Sequence, residues 1–386
     1  MSTATAEILD TMKGDYDPFR QSEHDKARHA IRFPKLDDES QQNFIVGFKN
    51  FMSRSGRAPE AVAQREAFLR SKGFSAAEKT NIDFEEASDT MLEDPVFAAR
   101  TRLSRSAQIM MWDRAHRVFH RDAEHYLSEM EKTDASGPGT LELNPDMDIP
   151  EYARHEIHNQ PGGFVGDPFA GWLYHYAVNL GFYQGLSDYD EIHLAIAKAH
   201  PLPPDGQVRR VLDMGCGTGQ STTAIKERFP NAEVWGIDAG GPMVRYAHYR
   251  AAKLGFDVNF AQRMAEDTQF PDGYFDLVTD HIMFHEVTAE VAKDVIKEVY
   301  RILRPGGVFN HVDRGTAGHP HVDLGETIPA KAGRWLDCRL NVEPWTLQYQ
   351  LSDFPGNLRK AGFEVDVDVP SNRWNMYPGL HAYKPA

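Results

Sequence analysis

The 386-residue chain carries 42 basic and 57 acidic residues, a net charge of −15. Such a surface repels phosphate backbones, and no run of Lys and Arg offsets it, so a nucleic-acid partner is not expected. With 41% hydrophobic and 26% charged residues, the composition is that of a globular chain long enough for two domains. No apolar run is long enough to span a bilayer, so no membrane partner is expected.

The first half reads as helical. Apolar residues recur near a period of 3.6 in 41–52, 61–72 and 94–131. Ser136-Gly137-Pro138-Gly139, Asn144-Pro145 and Ile149-Pro150 then mark turns and a linker. After a further turn at 158–164, an aromatic helix is expected over 172–183. Pro201 to Gly206 forms a second boundary. From there strand and helix alternate, which predicts a parallel sheet with helices on both faces. Strands are expected at 208–213, 233–238, 257–261, 275–279 and 308–312, then at 363–369 and 380–383. Helices are expected at 220–229, 241–254, 287–303 and 357–361. The domain reading is 1–150 helical, 151–205 an aromatic lid and linker, and 206–386 the α/β unit. The only cysteines are Cys216 and Cys338, and residues 1–17 lack a basic stretch followed by an apolar core. Together these argue against a disulfide framework and make the cytoplasm the expected location.

The stretch from Val211 to Gly219 (VLDMGCGTG) runs from an apolar strand through an acid into alternating glycines and then a helix. This is the opening of a nucleotide-binding α/β unit. The spacing is G-x-G-x-G, whereas a dinucleotide site uses G-x-G-x-x-G to seat a pyrophosphate. A ligand without phosphates needs the turn for shape rather than charge.

With WGID (235–238), FPDGYFDLV (270–278) and LRPGG (303–307), this segment resembles the class I S-adenosylmethionine-dependent methyltransferases, in particular the small-molecule branch of the ubiquinone and menaquinone type. The resemblance covers residues 207–386. It implies a Rossmann-like, mostly parallel α/β sheet of seven strands with flanking helices, preceded here by a mainly helical N-terminal domain. It also implies S-adenosylmethionine as cofactor. Asp213, Gly215, Gly217 and Gly219 would line the methionine part, with small Cys216 leaving room for it. Asp238, 19 residues after Gly219, would accept the ribose hydroxyls. Ala239 and Met243 would pack near the adenosine, and Met264, Ala265 and Glu266 would lie by the adenine. Met264 stands where the family often has an Asp for the adenine amino group. Asp280 and His281 would face cofactor and acceptor.

The implied reaction is direct methyl displacement onto an O or N atom of a small organic acceptor. The alternative is a non-methylating enzyme that uses the sulfonium charge for rearrangement, hydroxylation or decarboxylation. A base helps when the acceptor is a hydroxyl or protonated amine. His281 and His285, just after the fourth strand, are the expected catalytic groups, since an unperturbed imidazole takes a proton near pH 7. Tyr174, Tyr176 and Tyr183 are expected to cover the acceptor as part of the aromatic lid, the other reading of that segment being a helix whose aromatic face is core, with residues 313–355, including Trp335 and Trp345, shaping the acceptor pocket. His116 and His120 stand one helical turn apart, and His319, His321 and Asp323 form H-x-H-x-D. Neither set is taken as a metal site, the first because no third ligand is evident. His155 and His158 are expected at an interdomain contact. A homodimer is the assembly implied by related enzymes.

Overall fold

The computed structural model describes residues 32–56, 58–74, 83–177, 190–316, 318–320, 328–369 and 379–386. Among the described residues five helices come first: α1 (Leu36–Gly56), α2 (Pro59–Ser71), α3 (Phe84–Met91), α4 (Pro95–Arg121) and α5 (Ala123–Asp134). Asp94 caps α4 by accepting hydrogen bonds from the Val96 and Phe97 amides at 2.8 and 3.1 Å. Pro95 fills the first helical position, where no amide proton is needed. The helix expected over 94–131 is two helices, because the chain breaks at Asp122.

The sheet has eight strands: β1 (Leu141–Glu142), β2 (Arg210–Met214), β3 (Glu233–Asp238), β4 (Asn259–Gln262), β5 (Phe275–His281), β6 (Leu303–Val312), β7 (Glu364–Asp366) and β8 (Gly379–Tyr383). Their spatial order is β1-β4-β3-β2-β5-β6-β8-β7. β1 to β6 are mutually parallel, while β8 runs antiparallel to β6 and β7. The sheet is Rossmann-like and mostly parallel, as expected. The strand beyond the expected seven is β1, two residues of a linker whose backbone extends the sheet edge beside β4. Two residues carry too little alternation to announce a strand.

The crossover helices are α8 (Gln220–Arg228), α9 (Gly241–Lys253) and α10 (Ala289–Ile302), preceded in the chain by α6 (Ala170–Ala177) and α7 (Glu191–Ala199) and followed by α11 (Ile328–Leu340), α12 (Thr346–Gln350) and α13 (Phe354–Lys360). α10 shows why such helices form. Thr288 accepts a hydrogen bond from the Val291 amide at 3.2 Å, and Val295, Ile296, Val299 and Ile302 form one buried stripe. That stripe packs with Leu212, Val278 and Phe309 of the sheet. The other face holds Val211, Val234, Phe260 and Leu277 against Ala224, Ile225, Val244 and Ala247. All seven residues of β5 are buried, as a strand covered on both faces requires.

A separate aromatic core joins the helical region to α9. Trp112 and Phe119 of α4, Tyr126 of α5, Trp172 and Tyr176 of α6 and Tyr246 of α9 are all buried in it. His175 and Tyr246 share a hydrogen bond at 2.6 Å. Arg250 of α9 and Asp190 form a buried ion pair beneath α8. Among the described residues, no helix is long and apolar enough to cross a membrane.

Candidate functional site

Strand order reverses direction of growth at β2, whose neighbours are β3 and β5. At such a point the loops leave in opposite directions and open a crevice at the carboxyl ends of the strands. A pocket lies there, lined by Asp213, Gly215, Cys216, Gly217, Asp238, Ala239, Met243, Met264, Ala265, Glu266, His281 and His285, all named from the sequence.

The glycine turn follows from its geometry. Gly215 has φ +65°, and a Cβ there would lie 2.6 Å from Met283 Cγ. Gly217 has φ +51° and only Met243 Cε nearby, at 3.8 Å, so a side chain would project into open pocket space. Asp238 fixes the turn. Its two oxygens accept from the Gly217 amide at 3.0 Å and the Gly240 amide at 2.8 Å. Burial pushes its carboxyl up, against the pull of those amides.

Asp213 is buried and accepts from the Thr222 hydroxyl at 2.6 Å. Burial pushes its carboxyl up to about 7; Thr222 works against this, and Asp280 and Asp238 reinforce it. It joins no ion pair among the described residues, so its environment would favour a cation. Cys216 is buried and its thiol is raised well above the ordinary range, which makes it unreactive. Glu266 accepts from the Tyr152 hydroxyl at 2.6 Å, while its Oε2 is buried without a hydrogen-bond partner among the described residues.

Two expected cofactor residues lie elsewhere. Gly219 starts α8 and packs on Ala247 and Phe260. Asp280 turns inward to His311, at 2.8 Å, and burial raises its carboxyl to about 6 despite that imidazole. Alternation along β5 explains this: Asp280 and His281 point to opposite faces of the sheet. The aromatic helix also divides. Tyr174 lines the pocket, ring to edge with Phe164 at 5.2 Å. Tyr176 instead stacks on Phe33 at 4.2 Å in the helical core. Tyr183, His321 and Asp323 lie outside the described residues. Trp345 does not line the pocket but donates to the Tyr152 carbonyl at 3.1 Å, supporting a residue that does.

The histidines differ from the expected pair of near-neutral imidazoles. Burial, with His193 nearby, pushes His281 down to about 3. Burial disfavours a charged His285 as well, but the carboxylates of Asp313 and Glu286 outweigh it and push the imidazole up to about 10. His285 Nδ1 is 2.6 Å from Asp313 Oδ1, a contact between fully buried partners. Its Nε2 is 3.4 Å from Glu286 Oε1. At neutral pH, His281 is thus a weak proton acceptor and His285 already holds its proton.

One part of the pocket lining is polar. His158, Glu286 and Arg314 line it, and behind them Glu343 meets His158 at 2.9 Å and Arg314 at 3.0 Å. Burial pushes the Glu343 carboxyl up, but His158 and Arg314 prevail and hold it well below the usual range. His158 sits at φ 57°, its carbonyl held by Gln108 and Trp112 of α4 at 2.8 and 2.7 Å. Ile282, between His281 and Met283, sits at φ 55°. A β-branched residue in that region is strained, and its amide donates to Val312 O at 2.7 Å to hold the turn. No sequence pattern marks Glu286, Asp313 or Arg314 individually; the last two follow β6 with no motif around them.

A mostly parallel sheet in this order, with a glycine turn after β2 and an acid closing β3 in one switch-point pocket, is the class I methyltransferase architecture. Residues 211–307 match the methyltransferase domain family. Similarity extends to a demethylmenaquinone methyltransferase of Thermus thermophilus, 41% identical over 99 residues, covering 26% of this chain and 44% of that protein. A ubiquinone/menaquinone biosynthesis C-methyltransferase of Cupriavidus metallidurans is 37% identical over 155 residues, covering 40% and 61%. A fatty-acid O-methyltransferase of Mycolicibacterium smegmatis is 30% identical over 145 residues, covering 36% and 50%. The chain spans about half the length of the curated relatives it matches. Residues 211–307 therefore carry a methyltransferase domain.

Proposed function

We propose that the chain transfers a methyl group from S-adenosylmethionine to an O or N atom of a small organic acceptor. The observation that carries this reading is one pocket lined both by Asp213, the glycine turn and Asp238 and by the polar group of His158, Glu286 and Arg314. The residues fit the cofactor: a buried carboxylate without an ion pair among the described residues suits an ammonium, and the bare Gly217 wall leaves room against the backbone. When bound, the cofactor supplies an activated methyl group on a sulfonium sulfur.

Asp213 holds the ammonium end and Asp238 the ribose hydroxyls. Ala239 and Met243 pack beside the adenosine, and Met264, Ala265 and Glu266 stand by the adenine. His281, Met283 and Tyr174 border the space between donor and acceptor and exclude water from it. Glu286, with Oε2 buried and unpartnered among the described residues, is the group that accepts a proton from the acceptor. His285, charged and anchored by Asp313, positions it. A homodimer has an apolar face available on α1, where Leu36, Phe44 and Phe51 are exposed.

Two measurements test this. Incubation with S-adenosylmethionine and small hydroxyl or amine compounds is expected to yield S-adenosylhomocysteine in step with methylated product; product without it would overturn methyl transfer. The second follows from Asp213. Only the ionised carboxylate pairs with an ammonium, and burial raises this group to about 7 in the free protein. The cofactor dissociation constant is therefore expected to rise by at least about tenfold from pH 7.5 to 5.5. Asp213→Asn is expected to bind more weakly and without that pH dependence. A flat wild-type profile by titration calorimetry would exclude Asp213 as the ammonium partner.

A further inference from the structure

His116 and His120 were set aside in the sequence for want of a third ligand. The fold supplies one 47 residues further on. His116 Nε2 lies 2.9 Å and His120 Nε2 2.8 Å from the same oxygen, Asp167 Oδ2. We propose that His116, His120 and Asp167 form a binding site for a divalent first-row transition metal ion of the zinc type. The ion ties α4 to the turn that carries the pocket residues Phe164 and Val165.

The geometry is that of a chelate. The two imidazoles stand one turn apart on one helix face, centroids 4.1 Å apart, and all three ligand atoms lie within 4.8 Å of one another. Asp167 is buried, whereas His116 and His120 are 32% and 39% exposed, so an ion has an entry path and room for a solvent ligand. The carboxylate is already oriented: its Oδ1 accepts from the Phe169 amide at 2.7 Å, which leaves Oδ2 for the ion. The Phe169 ring stands edge-on to His120 at 4.8 Å and limits its rotation. Tetrahedral coordination with bonds of about 2.0–2.1 Å separates ligand atoms by roughly 3.4 Å. Small side-chain rotations therefore open the present hydrogen-bonded triad to hold the ion. Two imidazoles and one carboxylate favour zinc, cobalt or nickel over calcium or magnesium, which take oxygen sets.

The full-length chain, stripped with chelator, is titrated with Co2+ and then with Zn2+. One equivalent of Co2+ is expected to give visible d–d absorption, and Zn2+ to displace it and raise the thermal midpoint. His116→Asn/His120→Asn is expected to weaken Zn2+ binding by at least about a hundredfold, with unchanged circular dichroism and an unchanged metal-free midpoint. Asp167→Asn is expected to weaken it by about tenfold or more. No uptake of either ion by the wild type at sub-millimolar concentration, or equal affinity and stoichiometry in the double variant, would overturn the site.

Discussion

Asp238→Ala is expected to weaken cofactor binding by at least about a hundredfold. The loss has two physical parts. In the proposed role the carboxylate would offer its remaining lone pairs to the ribose hydroxyls, and each hydrogen bond to a charged group is worth about 1.5–3 kcal/mol. It also holds the Gly217 and Gly240 amides at 3.0 and 2.8 Å, so the alanine variant loses the shape of the turn along with the contact. Asp238→Asn separates these parts. Its amide oxygen still serves one backbone N–H, but its NH2 faces the other, so an intermediate affinity is expected. Titration calorimetry measures both variants, with urea unfolding as the control for stability. An alanine variant that binds like the wild type would remove Asp238 from the site.

The part of the pocket around the glycine turn was legible because it is local. The glycine turn, Asp238 and the 264–266 segment each follow a strand end, and a parallel sheet brings strand ends together whatever the loops contain. What failed was direction. Asp280 and His281 are adjacent in sequence but point to opposite faces of β5, so only His281 reaches the pocket. Tyr174 and Tyr176 divide in the same way on α6, one toward the pocket and one into the core with Phe33 and Phe119. The polar part around His158 was not legible because it is assembled across the chain. His158 comes from a turn held by α4, Glu286 from the loop after β5, Arg314 from the end of β6 and Glu343 from the loop after α11. None of these has a spacing that a local pattern exposes. The same reason hid Asp167 from His116 and His120.

The second large effect concerns Asp313. Removing one partner of a buried ion pair leaves the other charge uncompensated, a loss of about 3–5 kcal/mol. Asp313→Ala is therefore expected to lower the unfolding free energy by about that amount near pH 6, measured by urea titration. The pH dependence identifies the cause. The folded-state value of His285 is raised to about 10, so its stabilising charge is fully present below its unfolded value of about 6.5 and is lost as pH rises through 10. Asp313 is held low by His285, against its own burial; its contribution is present above about 3.9 and is lost only in acid. The gap between wild type and variant should thus be widest between about pH 4 and 6.5 and should narrow toward pH 10. A gap independent of pH would mean that lost packing, not lost charge, causes the destabilisation. Turnover then separates positioning from proton transfer. Glu286→Gln is expected to lower kcat by about a hundredfold or more with cofactor affinity unchanged. His285→Gln keeps a hydrogen-bonding side chain beside Glu286 but removes the charge, so it should shift the pH profile of kcat more than its maximum. If His281→Ala instead produces the large loss in kcat and Glu286→Gln does not, the proton leaves through the imidazole despite its depressed basicity, and Glu286 serves only to bind the acceptor.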